Sequence, residues 1–457
     1  MAERRNRLGT PARYFGQLAR NHPARLTLFV FLGLIFLFWT LLLLPFASAS
    51  RTITNPIDAL FTAASAVCVT GLTTVDTVQH WSLFGQAVIA LAMFVGGLGV
   101  MTLASLLAFA VSRHLGLTQR LMMQSSTSTG ALSDTSRIIL GVLVSSTLVQ
   151  AIVFLCLFVQ FWLADAPLGT ALWDALFMAI SAFNNAGFVN MPGGIDEYGG
   201  SWGIFLPIIL GAFFGAIGFP VLTELVRSWK TPRRWSIHAK LTLTVFSSLV
   251  VASIVSTMAL EWNNPATMGN MSWSEKTLGA LLSGVNSRSL GISTVASEDM
   301  RPATQLLTSF FMFVGGGSAS TAGGLKVTTV AVLFLAVLAE ASGNHDVEVF
   351  KRRLSYGTVR LAIGVLVISS ALVFVSTFIL LLITPFAFDE VLFECISAFG
   401  TVGLSMGITD QLPGGAKVLL SALMLAGRLG PMTLATALAL RQKHNLVRMP
   451  EARPIVG

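Results

Sequence analysis

One short pattern keeps returning along this chain. DALFTAASAVCVTGL spans Asp58 to Leu72, DALFMAISAFNNAGF spans Asp174 to Phe188, and EVLFECISAFGTVGL spans Glu390 to Leu404. Each is an apolar stretch that runs into a glycine, namely Gly71, Gly187 and Gly403. A weaker fourth copy, KTLGALLSGVNSRSLGI from Lys276 to Ile292, fits once two residues are inserted before Gly291. The four glycines are spaced by 116, 104 and 112 residues. A near-constant period of that size marks internal repeats. The repeated stretches, at 57–68, 173–184, 273–286 and 389–400, are too short to cross a bilayer, which takes about 20 apolar residues. They read as re-entrant helices.

Long apolar stretches flank the short ones, at 26–48, 82–111, 138–164, 202–226, 238–260, 304–340, 359–384 and 415–440. The stretch at 304–340 is too long for one crossing and is interrupted in its middle. The expected fold is an all-α polytopic membrane protein. It holds four repeats, at 26–111, 138–226, 238–340 and 359–440, each a long helix, a short re-entrant helix, a glycine-bearing loop and a second long helix. Tails at 1–25 and 441–457 complete the chain. Only 11% of the residues are charged and 54% are hydrophobic, against about 25% charged in a soluble domain.

The net charge of +8 invites a nucleic-acid reading, but its placement argues otherwise. Basic residues gather in the N-terminal tail (Arg4, Arg5, Arg7, Arg13, Arg20, Arg25), at 112–137, 227–240 and 341–360, and in the C-terminal tail. Even numbers of crossings separate these segments, so they share one face, the cytosolic one by the positive-inside rule. Acidic residues such as Asp58, Asp174, Glu298 and Asp410 fall on the other side or in the re-entrant stretches, an outer bias that modestly concentrates cations. The charge is a topology signal, and no nucleic-acid partner is expected. Cys68, Cys156 and Cys395 show neither metal nor disulfide spacing and read as small buried packing residues. The six histidines mostly fall in loops or at span ends, and no HExxH motif occurs, so no enzymatic site is expected.

Irregular backbone at membrane depth survives only where protein shields it or where it lines a watery cavity. Four such loops can surround one axis and offer carbonyl oxygens in place of the water shell of a monovalent cation. Glycine tolerates the backbone angles so sharp a turn needs. A single glycine in a membrane segment more often serves helix packing; four at equivalent places favour a filter. The candidate lining is Val69, Thr70 and Gly71; Asn185, Ala186 and Gly187; Ser289, Leu290 and Gly291; and Thr401, Val402 and Gly403. None is acidic, whereas a divalent-selective pore favours a ring of carboxylates. Glu394 reads as a buried supporting carboxylate, and Arg288 as a support behind the third loop.

GGGSASTAGGLK, Gly315 to Lys326, breaks the long stretch 304–340, because glycine and small polar residues at this density are poor helix formers. At mid-membrane such a break faces the pore on the cytosolic side of the filter. The candidate gate comprises Gly315, Gly316, Gly317, Ser318, Ser320, Thr321, Gly323, Gly324 and Lys326. It is not a phosphate-binding loop, which needs Gly-Lys followed by Ser or Thr; Leu325 follows Gly324 and Val327 follows Lys326. Arg428 interrupts the last span, and a charge at that depth faces a cavity or a partner. It either donates to the carbonyls of the broken segment and sets an electrostatic barrier, or pairs with a buried acid. Lys326 either shares its role or snorkels to the interface.

SAVCVTGL, SAFNNAGF, NSRSLGIS, SAFGTVGL, the GGGSASTAGGLK break and the arginine in AGRLGP together resemble the Trk/Ktr/HKT superfamily of potassium transporters, in particular the pore-forming subunits of bacterial Ktr-type uptake systems. The resemblance covers essentially the whole chain, and it implies four membrane–pore-loop–membrane repeats in pseudo-fourfold arrangement around one central pore. It implies K+ as the transported ion, with Na+ required by some members and no organic cofactor in this chain. It implies a filter at Gly71, Gly187, Gly291 and Gly403, a gating loop at 315–325 and a pore arginine at Arg428. It implies a homodimer in the bacterial cell membrane with both termini cytosolic, gated by a separate cytosolic ring of nucleotide-binding subunits. Trk-type relatives carry two further N-terminal helices, so the Ktr type is expected. Plant relatives with serine at the first filter position lean towards sodium, and Gly71 points to potassium. The main alternative, a secondary transporter built on inverted repeats, predicts helix N-termini at an anion site, whereas these repeats run parallel.

Overall fold

The computed structural model describes residues 23–99, 130–191, 198, 200–344 and 346–431. Most of the expected tail 1–25, the tail 441–457, Arg113 and Arg120, and the far ends of the stretches 82–111 and 415–440 lie outside the described residues. The first repeat contributes α1 (Pro23–Leu42), α2 (Pro56–Cys68), the one-turn α3 (Thr77–His80) and α4 (Leu83–Gly97). The second contributes α5 (Gly130–Leu163), α6 (Leu168–Asn184), α7 (Trp202–Ile217) and α8 (Phe219–Ser228). The third contributes α9 (Ile237–Glu261), α10 (Trp273–Val285), α11 (Pro302–Phe313) and α12 (Val327–Ala341). The fourth contributes α13 (Tyr356–Ile383), α14 (Phe388–Gly400) and α15 (Gly414–Leu429). Among the described residues the strands are Glu348–Val349 and Arg352–Arg353, a small hairpin between the third and fourth repeats.

The first helix of each repeat is long and apolar enough to cross a membrane, over 25–42, 140–163, 237–261 and 356–383. Their outward faces carry exposed Phe29, Leu148, Val255 and Phe374, as a lipid-facing surface must. Cys156, expected to be buried, lies on such a face of α5 and is exposed, whereas Cys68 and Cys395 are buried. The apolar context that suggested burial in protein is equally the context of contact with lipid.

Among the described residues, the last long stretch is interrupted in the second and third repeats. The stretch 202–226, expected as one crossing, is two helices that meet at Gly218 with a bend of 101°. Gly218 has φ +101, which no helix accommodates, and Pro220 behind it restarts the chain as α8. Gly99 (φ +79) and Gly430 (φ +83) follow the ends of α4 and α15 in the same way. In the third repeat the interruption grows to the whole segment between Phe313 and Val327.

The four short helices fill the centre. Residues Phe61 to Cys68 of α2 are all buried, and so are Phe393 to Gly400 of α14. Their starts are well formed: Asn55 caps α2 by accepting from the amide of Ile57 at 3.0 Å, with Pro56 in the first turn. Ser272 and Glu275 form a reciprocal cap on α10, which satisfies two otherwise free amides. The repeats close into a ring because the helix after each short one packs on the short helix of the next repeat: α4 on α6, α7 on α10, α11 on α14, and α15 on α2. That last contact is tied by Lys417 Nζ to Asp58 Oδ1 at 2.8 Å, a largely buried ion pair.

Candidate functional site

Three of the four short helices end alike. Val69, Asn185 and Thr401 take the left-handed conformation, with φ of 58°, 58° and 49°. The following amides, of Thr70, Ala186 and Val402, return to the carbonyls of Ser65, Ser181 and Ser397 at 2.8, 2.8 and 2.9 Å. The serine hydroxyls then fasten the loops. Ser65 Oγ accepts from the amide of Gly71 at 3.0 Å, Ser397 Oγ accepts from Gly403 at 3.2 Å, and Ser181 Oγ donates to the carbonyl of Phe188 at 2.7 Å. Each serine stands six residues before its glycine, and that spacing in SAVCVTG, SAFNNAG and SAFGTVG was a legible signal that the reading by residue type passed over.

The third loop departs as its two extra residues require. They are taken up in a widened π turn over Asn286–Leu290, where Ser289 has an extended φ of 171°, before Gly291 at φ +71. Ser283 stands eight residues before Gly291 and bonds Thr257 Oγ1 at 3.1 Å instead of the loop. Arg288 is wholly buried in this turn. Its Nη1 donates to the carbonyls of Phe311 at 3.0 Å and Val314 at 2.6 Å, so it ties the third loop to the end of α11.

The four glycines form a closed ring. A β-carbon on Gly71 would stand 2.6 Å from the carbonyl oxygen of Ala186 and 2.8 Å from Gly187 Cα; one on Gly187, 3.1 Å from the oxygen of Leu290; one on Gly291, 2.6 Å from the oxygen of Val402. One on Gly403 would meet the oxygen of Thr70. Each glycine thus abuts the carbonyl just before the next glycine, in the order 71, 187, 291, 403 and back to 71. No side chain has room there, so the ring is made of backbone. The C-terminal ends of α2, α6 and α14 converge on it with the partial negative charge of unsatisfied carbonyls. One expected lining oxygen is occupied: the carbonyl of Thr401 accepts from Ser289 Oγ at 2.9 Å.

Glycine also lets α4, α7 and α15 approach the short helices. A β-carbon on Gly96, Gly215 or Gly427 would strike the carbonyl of Val67, Phe183 or Phe399 respectively. Each of these carbonyls lies four residues before a ring glycine. Each of these helix glycines precedes a helix-ending glycine by three, so GGLG, GAIG and GRLG carry a common G-x-x-G that the sequence reading did not use.

On one side of the ring a cavity of about 320 Å³ is lined by Gly71, Thr74, Asp76, Gly403, Ser405 and Asp410 among others. Glu394 stands behind its wall, fully buried. Its carboxylate accepts from the hydroxyls of Ser405 and Thr409 and from the amide of Met406, which holds the strand leaving the fourth loop. Among the described residues no group of three or more His, Cys, Asp or Glu could hold a metal ion. An ion in the ring would meet backbone oxygen.

The segment between Phe313 and Val327 crosses the other side. Asn185 Nδ2 donates to Thr321 Oγ1 at 2.8 Å, and the amide of Gly323 donates to Thr401 Oγ1 at 3.0 Å. The amide of Gly324 reaches the carbonyl of Gly427 at 3.2 Å, and that of Gly317 reaches Ala216 at 2.9 Å. Arg428, buried, donates from Nη1 to the carbonyl of Thr321 and from Nη2 to that of Gly96. It has carbonyl partners, and no carboxylate among the described residues pairs with it. Lys326 Nζ turns back onto the carbonyl of Ala322 at 2.5 Å. The segment 315–326, which holds Gly315, Gly316, Gly317, Ser318, Ser320 and Thr321, is thus folded against the ends of α6, α7, α14 and α15.

The sequence profile of the TrkH family, described as cation transport protein, matches residues 34–447. The chain is 34% identical to the Ktr system potassium uptake protein B of Bacillus subtilis, over 91% of this chain and 93% of that protein. It is 34% identical to the protein of the same name from Vibrio alginolyticus, over 96% of each. It is 31% identical to the potassium/sodium uptake protein NtpJ of Enterococcus hirae, over 92% of this chain and 94% of that one. The crystal structure of the potassium transporter TrkH from Vibrio parahaemolyticus superposes with a TM-score of 0.66 at 21% identity, covering 90% of this chain and 84% of that one, a likeness of fold. The chain belongs to the TrkH cation transport family.

Proposed function

We propose that this member of the TrkH family is the pore-forming subunit of a potassium uptake system. K+ enters the acidic cavity beside Asp76 and Asp410, sheds water into the ring of backbone carbonyls around Gly71, Gly187, Gly291 and Gly403, and leaves past the segment 315–326. The observation that carries this reading is the closed glycine ring, in which every side chain is excluded and the lining is backbone. Carbonyl dipoles replace the hydration shell of a monovalent cation without the fixed charges that favour divalent ions. The segment 315–326 is the gate: it lies across the inner side of the ring, and Arg428 and Lys326 add positive charge where it closes. Names of the relatives support K+ as cargo, and that of the Enterococcus protein supports a part for Na+.

The protein belongs, on this reading, in the cell membrane of a bacterium, with both termini cytosolic and the repeats bounded near 26–111, 138–226, 238–340 and 359–440. It pairs as a homodimer and answers to a cytosolic nucleotide-binding ring made by another protein. The test is growth and K+ uptake in bacterial cells stripped of their own potassium systems, with and without Na+. Rescue at low K+ only when this chain is expressed supports the pore. A sodium requirement adds a coupled or regulatory Na+ site. Absence of rescue with a cognate regulatory ring co-expressed would return the secondary-transporter reading.

A further inference from the structure

The segment 315–326 is bonded to the ring loops, and at two particular points. Asn185 and Thr401 are the left-handed caps that end α6 and α14, each two residues before a ring glycine. Asn185 donates to Thr321, and Thr401 accepts from Gly323, so both caps hold the segment by side-chain hydrogen bonds at 2.8 and 3.0 Å. In the ring, Gly187 and Gly403 each touch Gly71 and Gly291 but not each other. The two bonded repeats are therefore opposite across the axis. The equivalent cap in the first repeat is Val69, which has no group to offer. In the third, Ser289 bonds the Thr401 carbonyl, joining the third loop to the same cap.

We propose that Asn185 and Thr401 couple the gate segment to the filter, so that ion occupancy of the inner ring and the position of the segment are linked. The proposal rests on the reading of 315–326 as the gate and adds a mechanism to it. With the segment in place, two opposed caps are fixed and the inner edge of the ring keeps one shape. When the segment leaves, Thr401 Oγ1 loses the Gly323 amide and Asn185 Nδ2 keeps only the carbonyls of Ala212 and Phe183, so both caps are less tightly held. Linkage makes the effect mutual: whatever change in K+ affinity the segment imposes, K+ imposes on the segment.

The experiment uses the full chain in proteoliposomes, with Ser318→Cys as a thiol reporter in the segment and the exposed Cys156 replaced by alanine. Cys68 and Cys395 are buried and stay silent. Thiol labelling rate and Rb+ uptake are measured in K+ and in choline. With Thr401 intact, K+ changes the labelling rate about fivefold, the effect of one net hydrogen bond. Thr401→Val cuts that dependence, leaving only the share carried by Asn185, and Thr401→Ser keeps it. Valine is tolerated at this cap, because Val69 holds the same conformation in the first repeat. Asn185→Leu repeats the test at the opposite cap. An unchanged K+ effect in Thr401→Val, while labelling and uptake still move together, leaves the gate standing and overturns the coupling. Labelling that bears no relation to uptake across the variants removes the gate, and the coupling with it.

Discussion

Gly71→Ser puts the ring under a defined load. The new β-carbon would sit 2.6 Å from the carbonyl oxygen of Ala186, where ordinary contact begins at 3.4 Å, so the first and second loops must part by about 0.8 Å. Serine must also hold φ near +91, which costs a residue with a β-carbon about 1–3 kcal/mol. If about 1–2 kcal/mol of that falls on the ion-loaded ring, K+ affinity drops by a factor of about 5–30. If the ring is shaped to K+ and Na+ binding is left unchanged, the preference for K+ narrows by a similar factor. The assay is Rb+ uptake in proteoliposomes against increasing Na+, with protein quantity in the membrane held equal. Gly364→Ser on α13 is the control, since a β-carbon there meets nothing within 4 Å. An unaltered K+ to Na+ ratio in Gly71→Ser, with a folded protein and an unaffected control, would refute the ring as the seat of selectivity.

Other consequences are equally concrete. Deleting 316–323 removes most of the segment and raises basal uptake several-fold while weakening dependence on any regulatory partner; a folded deletion protein with unchanged flux would count against the gate. Arg428→Gln gives up charge-assisted bonds to Thr321 and Gly96, worth about 1.5–3 kcal/mol each, so channel-like leak should rise, and a tighter pore would contradict the assignment. Ser397→Ala frees the Gly403 amide at a cost of about 1 kcal/mol, and protection of the protein by K+ in a thermal-melt assay should shrink. Lys417→Met strands Asp58 largely buried, a loss of about 3–5 kcal/mol; adding Asp58→Asn should recover much of the lost thermostability, whereas no recovery would show that the loss does not come from the stranded carboxylate.

Much of the architecture was legible in one dimension. A hydrophobic run either is or is not long enough for a bilayer, so the long first helices and the short re-entrant ones could be told apart by counting. Repetition then located Gly71, Gly187 and Gly403 without any three-dimensional knowledge, and Gly291 by period, because the same local turn needs the same residue wherever it is built. The break at 315–326 was visible because glycine and serine at that density cannot continue a helix. The bend at Gly218 was not: a single glycine in an apolar run is compatible with a straight helix, and only the amide of Phe219 reaching Ala319 and the positive φ reveal the turn. Cys156 misled because an apolar neighbourhood in sequence does not separate protein interior from lipid.

What the sequence determined by itself was the set of local conformations, since spacing, period and glycine placement act through the nearest few residues. What only the tertiary structure decided was adjacency. That Gly71 abuts the carbonyl of Ala186, that Gly403 closes the circle on Thr70, that Arg428 reaches both Thr321 and Gly96, and that Thr401 accepts from Gly323 are contacts between residues many tens to hundreds of positions apart. They depend on four repeats packing in one rotational order, the helix after each short one on the next short helix. That order is set by the fit of whole surfaces, so no short stretch of the chain carries it.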